Sequence, residues 1–168
     1  MKVSEQLKPT LISHWMKKTF KAFYPALVFH GTPAAPNSYK ALKQFSHCLT
    51  SGESLPVFNG ACDQTIYEKP NDNVTFRAWH DAIHLENNLS FKPLDEIQVG
   101  LIHCQQLRAI GAPVHVINAV YFDVIGQIEY YSKHGHFVVD QKAFVQDCLI
   151  HGLVKTIDLS YDTATIQA

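Results

Sequence analysis

Charge is scarce in this chain. Only 17% of its 168 residues are Asp, Glu, Lys or Arg, and 14 cations against 15 anions leave a formal net charge of -1. A balance so close to neutral gives no bulk attraction to nucleic acid or to an anionic lipid surface, and neither partner is expected. No uninterrupted apolar run is long enough to span a bilayer, which argues against a membrane segment. The opening stretch MKVSEQLKPTLISHWMKK has no apolar centre of the kind a signal peptide carries, so the expected compartment is a reducing cytoplasm. Cysteine is sparse and scattered: Cys48, Cys62, Cys104 and Cys148 include no C-x-x-C pair, which argues against a thiolate zinc cluster. A chain of this length needs no disulfide staples, and no cysteine stands in a distinctive local setting. G-x-S-x-G, the phosphate-binding Walker loop and G-x-G-x-x-G are all missing, which sets aside the chemistries they serve.

What is present is a large apolar fraction, 46%, and ten histidines. The first argues for a folded core and the second for titration just below neutrality or for metal binding. Leu7, Leu11, Trp15, Phe20 and Phe23 recur at roughly helical spacing and predict a helix over residues 4–24. HGTPAAPNS, residues 30–38, is a turn-rich break in which Asn37 or Ser38 caps a second helix ending near Gly52. Residues 53–72 read as a long irregular connection with room for a short extended piece, and long connections are often functional. Asn73 or Thr75 caps the next helix, which runs to about Glu86. After the loop NNLSFK, Pro93 suits the first position of a helix whose acidic first turn holds Asp95 and Glu96, and Gly111 ends it. A further helix covers residues 116–133, with Ile117, Val120, Tyr121, Val124, Ile128 and Tyr131 as its buried stripe, and a last one covers residues 140–151. The tail, residues 154–168, reads as a strand or a loose end. The expected fold is mainly α, a single domain over residues 1–168, built as a bundle of about six helices with short strand pieces left open.

The run TFRAWHDAIHLENNL carries the chemistry. His80 and His84 stand four apart and share one helix face, where both imidazoles can address one ion. Folding the next helix back about residues 88–91 brings Glu96 level with His84 and Gly100 level with His80. Glu96 then supplies a third ligand, and the missing side chain at Gly100 leaves room for an ion, a water or a substrate. Two imidazoles and a carboxylate with an open position form a recurring catalytic metal arrangement, for which zinc is the first candidate and iron or manganese the alternatives. Asp81 is placed to orient or deprotonate a metal-bound water. Asp123 and Gln127 share a face of the later helix, which Tyr130 extends. Asp123 is a candidate further ligand, or a partner for the second nitrogen of a ligand histidine. Gln127 and Tyr130 are candidates for substrate contact. His103 lies two turns beyond Glu96, about 10 Å along the helix and level with Arg77, too far for the same ion but able to line the pocket or join a second one. Arg77 is expected to pair with Asp81, with an anionic substrate as the alternative. Lys133 to His136 sit at a helix end, where histidines favourably meet the dipole. His14, His30, His47, His115 and His151 show no convincing spacing.

The H-D-x-x-H run resembles the H-E-x-x-H motif of zinc peptidases, with Asp81 where that motif has glutamate. In the gluzincin type a downstream glutamate is the third ligand, and Glu96 matches it at an unusually short distance. The adjacent His80–Asp81 pair also resembles the doublet of HD-domain phosphohydrolases, a resemblance that implies an earlier histidine and a later aspartate, for which His47 and Asp123 are available. Dinuclear carboxylate bundles are a weaker likeness because their E-x-x-H motifs are absent. The longer pattern, FRAWHDAIH through Glu96 to GQIEYY and VDQKAF, is similar to uncharacterised bacterial and phage- or plasmid-borne proteins, a likeness that implies one shared site and no particular activity. The expected function is a metal-dependent hydrolase acting on a small molecule or peptide. The alternatives are an HD-type phosphohydrolase using His47, His80, Asp81 and Asp123, and a non-catalytic accessory protein with structural histidines. A homo-oligomer stays open.

Overall fold

The computed structural model describes residues 6–161, and within them the chain is mainly helical, with two short strands. Helix α1, Pro9–Phe23, starts on a proline at its first turn and buries Ile12, Met16 and Phe20 along one stripe. Strand β1, Val28–Thr32, pairs in parallel with β2, Ser54–Phe58, in a register that sets Val28 opposite Ser54 and Thr32 opposite Phe58. The crossover between them is the segment expected as one continuous helix. It is instead broken into α2, Tyr39–Leu42, a tight turn at Lys43–Phe45, and α3, Cys48–Ser51. Ser38 caps α2 by accepting from the Ala41 N–H, and Gly52 ends α3 at a φ of +78°, a left-handed conformation that glycine adopts without strain. The break lets Leu42 and Cys48 both face the core beneath a short ribbon, which an unbroken helix would not allow. The turn-rich segment from His30 accordingly begins inside β1, while the extended piece foreseen in residues 53–72 is β2.

Helix α4, Pro70–Asn87, begins earlier than its polar residues suggested. Pro70 takes the first position, and Asp72 in the first turn reaches Lys17 of α1 at 3.0 Å. Asn73 and Thr75 lie inside the helix rather than at its cap: the Asn73 amide donates to Cys62 Sγ and the Thr75 hydroxyl to the Asn71 carbonyl. Asn88 closes α4 in the left-handed region at a φ of +51°. Asp95 then ties the loop by accepting from the Ser90 N–H at 2.8 Å, and α5, Pro93–Ala109, returns antiparallel to α4. Trp79, fully buried on α4, donates its indole N–H to Gln106 of α5 at 2.7 Å and locks the hairpin.

Helix α6, Val114–Tyr121, continues through a wide π-type turn, Phe122–Gly126, into α7, Gln127–His134. One surplus residue in that turn shifts the downstream phase by about 100°. Ile117, Val120 and Val124 face the core as expected, but Tyr131, expected in the same stripe, is 42% exposed while its neighbour Tyr130 is buried. Helix α8, Gln141–His151, is capped by Asp140, which accepts from the Ala143 N–H, and α9, Leu153–Thr156, is a single turn. That turn occupies the start of the segment read as strand or loose end, whose last residues, 162–168, lie outside the described range. Among the described residues no helix is long and apolar enough to cross a membrane.

Candidate metal centre

The α4–α5 hairpin brings three donors to one point. His80 Nε2 and His84 Nε2 are 3.0 Å apart, Glu96 Oε2 is 3.1 Å from the first and 3.5 Å from the second. Nitrogen and oxygen donors at ordinary zinc bond lengths and tetrahedral angles stand about 3.4 Å from one another, so this triangle is already close to ligand spacing. The group can hold a divalent ion. Its location follows from the sequence: Pro93 fixes where α5 begins, and the left-handed Asn88 fixes how α4 turns into it.

The opposite ring nitrogens are also engaged. His84 Nδ1 donates to the Leu89 carbonyl at 2.9 Å, which turns its Nε2 lone pair toward Glu96. His80 Nδ1 faces His103 Nε2 at 3.1 Å. With His80 coordinating through Nε2, its Nδ1 carries the proton and donates, and His103 accepts as the neutral imidazole. His103 is fully buried, stacked on Phe76 and edge-on to Trp79 with ring centroids 4.0 Å apart. Burial, and then the charges of His80 and His84, push its pKa well below the usual value and keep it neutral. Its Nδ1 is buried without a hydrogen-bond partner. The structure therefore brings His103 to the site, behind His80, where a straight-helix register had placed it alongside Arg77.

Electrostatics binds the three donors together. Burial alone would raise the Glu96 pKa, but hydrogen bonds and charges from His80 and His84 outweigh it and hold the carboxyl down at about 2. Burial works against a charged His84, yet the Glu96 hydrogen bond and charge, the Leu89 carbonyl and Asp81 together raise its pKa. Asp81 retains some exposure as a residue, but protein crowds its carboxyl. That burial raises its pKa to about 6, against the opposing pull of His80 and His84. A carboxyl held near neutrality beside the ligands has the proton affinity a general base needs.

Two clefts meet at this cluster. One, of about 560 Å³, runs from Phe91 and Pro93 across His80, Asp81 and Glu96 to Ile128, Tyr131 and Phe137. The other, of about 390 Å³, is more polar, with Asn73, Arg77, Asp123, Gln127 and Gln141 on its walls. Asp123 sits in the wide turn, a kind of distortion frequent at functional sites. It is buried and accepts from the Gln127 amide at 3.1 Å. The second nitrogens of His84 and His80 are met by Leu89 and His103, so Asp123 does not orient either ring, and Gln127 is the partner that holds it. Tyr67, missed in the sequence, is buried near Asp123 with no hydrogen-bond partner for its hydroxyl. No periodic signal marked it, because it lies in the irregular connection.

Other expected residues fall elsewhere. Arg77 makes no ion pair with Asp81. Its guanidinium donates to the carbonyls of Phe58, Gly60 and Ala61, pinning the end of β2 onto α4 while lining the polar cleft. Gly100 leaves no room for an ion: a Cβ there would lie 2.5 Å from Ile125 Cγ1, so its role is close packing of α5 on the wide turn. Tyr130 lies in the core, where its hydroxyl accepts from the Tyr161 N–H at 3.2 Å, rather than on a cleft wall. His47 is not brought to the His80–Asp81 pair. It meets Glu53 at 2.6 Å in a separate cluster. No protein-family model, curated protein or solved structure matches the chain.

Burial raises the Asp123 pKa to about 7, with Gln127 and Arg77 opposing the shift. A carboxyl whose pKa is higher in the fold than in the unfolded chain costs nothing below the unfolded value near 4, and its cost grows as pH rises from there and levels off above 7. Asp123→Asn should therefore become progressively more stable than the parent as pH rises. Urea unfolding in the presence of a chelator is expected to show this relative gain increasing by about 2–3 kcal/mol between pH 5 and pH 8. A gain that stays flat with pH would show that Asp123 is ionised in the fold at both.

Proposed function

We propose that the chain is a metal-dependent hydrolase with a single zinc ion held by His80, His84 and Glu96, acting in the cytoplasm on a small molecule or peptide. The observation that carries this reading is the triangle of 3.0, 3.1 and 3.5 Å among three donors, two of them imidazoles whose other nitrogens are already engaged from behind. A bound ion would supply Lewis-acid polarisation and a more acidic water. The protein's part is to hold that geometry, to take up a proton at Asp81, and to seat the substrate along the clefts that meet at His80 and Glu96. Phe91 and Phe137 form an apolar wall for one side of it, and Gln127 offers an amide to the other.

A non-catalytic reading has one observation in its favour. The depressed Glu96 carboxyl and the raised His84 pKa also describe a buried imidazolium–carboxylate pair that needs no ion. Metal analysis of untagged protein separates the two. The hydrolase reading expects one equivalent of zinc, iron or manganese at this centre, so that His80→Ala and Glu96→Ala each lower the metal content by about one equivalent. Protein that remains metal-free after dialysis against each ion, or whose metal content is unchanged by both substitutions, sinks it.

A further inference from the structure

We propose that His47, Cys48 and Glu53 form a second zinc site, separate from the α4–α5 centre and independent of the hydrolase reading. An imidazole nitrogen, a thiol sulfur and a carboxylate oxygen there all lie within 4.8 Å of one another. His47 Nε2 is 3.7 Å from Cys48 Sγ and 2.6 Å from Glu53 Oε2. A tetrahedral zinc holding sulfur at 2.3 Å and nitrogen at about 2.0 Å keeps those two donors about 3.6 Å apart, which the His47–Cys48 pair already meets. The nitrogen and carboxylate oxygen need to separate by a little under about 1 Å. Glu53 has the freedom to do so, since its side chain is 69% exposed.

The fold builds this cluster from a local device. His47 and Cys48 open the single turn of α3, and Gly52, at a φ of +78°, reverses the chain so that Glu53 returns onto His47. Cys48 is 1% exposed and forms the floor, while the half-exposed His47 ring leaves a path from solvent. A Cys–His–acid nucleophilic triad uses opposite ring nitrogens, one toward the thiol and one toward the acid. Here the thiol and the carboxylate both address Nε2, and convergence on one point is what an ion requires. On binding, the Cys48 thiol proton leaves to solvent. The hydrogen bond between His47 and Glu53 is replaced by bonds from Nε2 and Oε2 to the zinc, with the Nε2 proton moving to Nδ1 by exchange with water. One sulfur, one nitrogen and one oxygen suit borderline-soft Zn²⁺ better than the hard cations Mg²⁺ or Ca²⁺.

Cobalt(II) titrated into the full-length, untagged, chelator-stripped protein tests this, because a thiolate ligand gives a near-ultraviolet sulfur-to-cobalt charge-transfer band that the His80, His84 and Glu96 set cannot produce. The band is expected in the parent and in His80→Ala, and zinc is expected to displace it. It should vanish in Cys48→Ser, and its cobalt affinity should fall at least about tenfold in His47→Ala, an exposed substitution whose folding circular dichroism can confirm. Should Cys48→Ser fail to fold, His47→Ala and Glu53→Ala decide the matter. No band in the parent, a band that persists in folded Cys48→Ser, or an unchanged affinity in His47→Ala would overturn the proposal.

Discussion

His84→Ala is expected to abolish most of the stabilisation that zinc gives the protein. Zinc at about a thousand times its dissociation constant stabilises a one-site fold by about 4 kcal/mol, or roughly 8–16 °C in Tm for a chain of this size. Removing one of three ligands should weaken binding by at least about a hundredfold, more than the loss of an outer-shell partner does. The zinc-dependent stabilisation then falls to about 1.4 kcal/mol, a Tm gain of only a few degrees. His84 is fully buried, so the variant also loses stability without metal. The decisive quantity is therefore the difference between zinc-loaded and chelated samples of the same variant, read by calorimetry in a His47→Ala background so that only the α4–α5 centre contributes. His14→Ala, on the exposed side of α1, should keep the full gain. An undiminished zinc-dependent gain in His84→Ala would place the ion elsewhere.

Trp79→Ala should cost about 4 kcal/mol in the metal-free protein. The indole is completely buried, touches the rings of Phe76 and His103, and donates to Gln106 across the hairpin. Truncation removes that apolar surface, opens a cavity and leaves the buried Gln106 oxygen without its N–H donor. Trp79→Phe should recover more than half of the loss, because the ring packing returns while the N–H does not. Urea unfolding followed by circular dichroism separates the variants. A loss below about 1 kcal/mol for Trp79→Ala would mean that the hairpin is not held together at this point. The same substitution should loosen His103, and through it the ring of His80, so the packing effect and the site are linked.

The α4–α5 hairpin was readable in the sequence because its signals are local. Pro93, Asp95 and Glu96 mark a helix start, the i, i+4 spacing puts two histidines on one face, and a short loop forces an antiparallel return. His103 was misplaced because register counted along ideal axes ignores where side chains lean and how the two helices cross. β1 and its pairing with β2 were hidden for a different reason. Each is five residues long, β2 contains a proline, and their partner lies across a whole crossover, so no short-range pattern records the pairing. The wide turn left no periodic trace either. Ile117, Val120 and Val124 keep a regular spacing into the turn, so nothing in the apolar pattern marks the surplus residue. The His47, Cys48 and Glu53 cluster depends on a left-handed glycine, which spacing alone does not disclose.

That surplus residue between Phe122 and Gly126 acts as a timing offset for the rest of the molecule. Excising one amino acid there would tidy the helix into regular winding and leave everything downstream in phase, whereas regular winding of the full length would turn it by roughly a quarter of a revolution. In that second case Tyr130 would swing out of the core, Glu129 would take its direction, and the aromatic anchor for Tyr161 would be lost. An apparent irregularity thus keeps the two ends of the protein in phase, and anyone grafting this segment has to carry the surplus residue and the wide turn together.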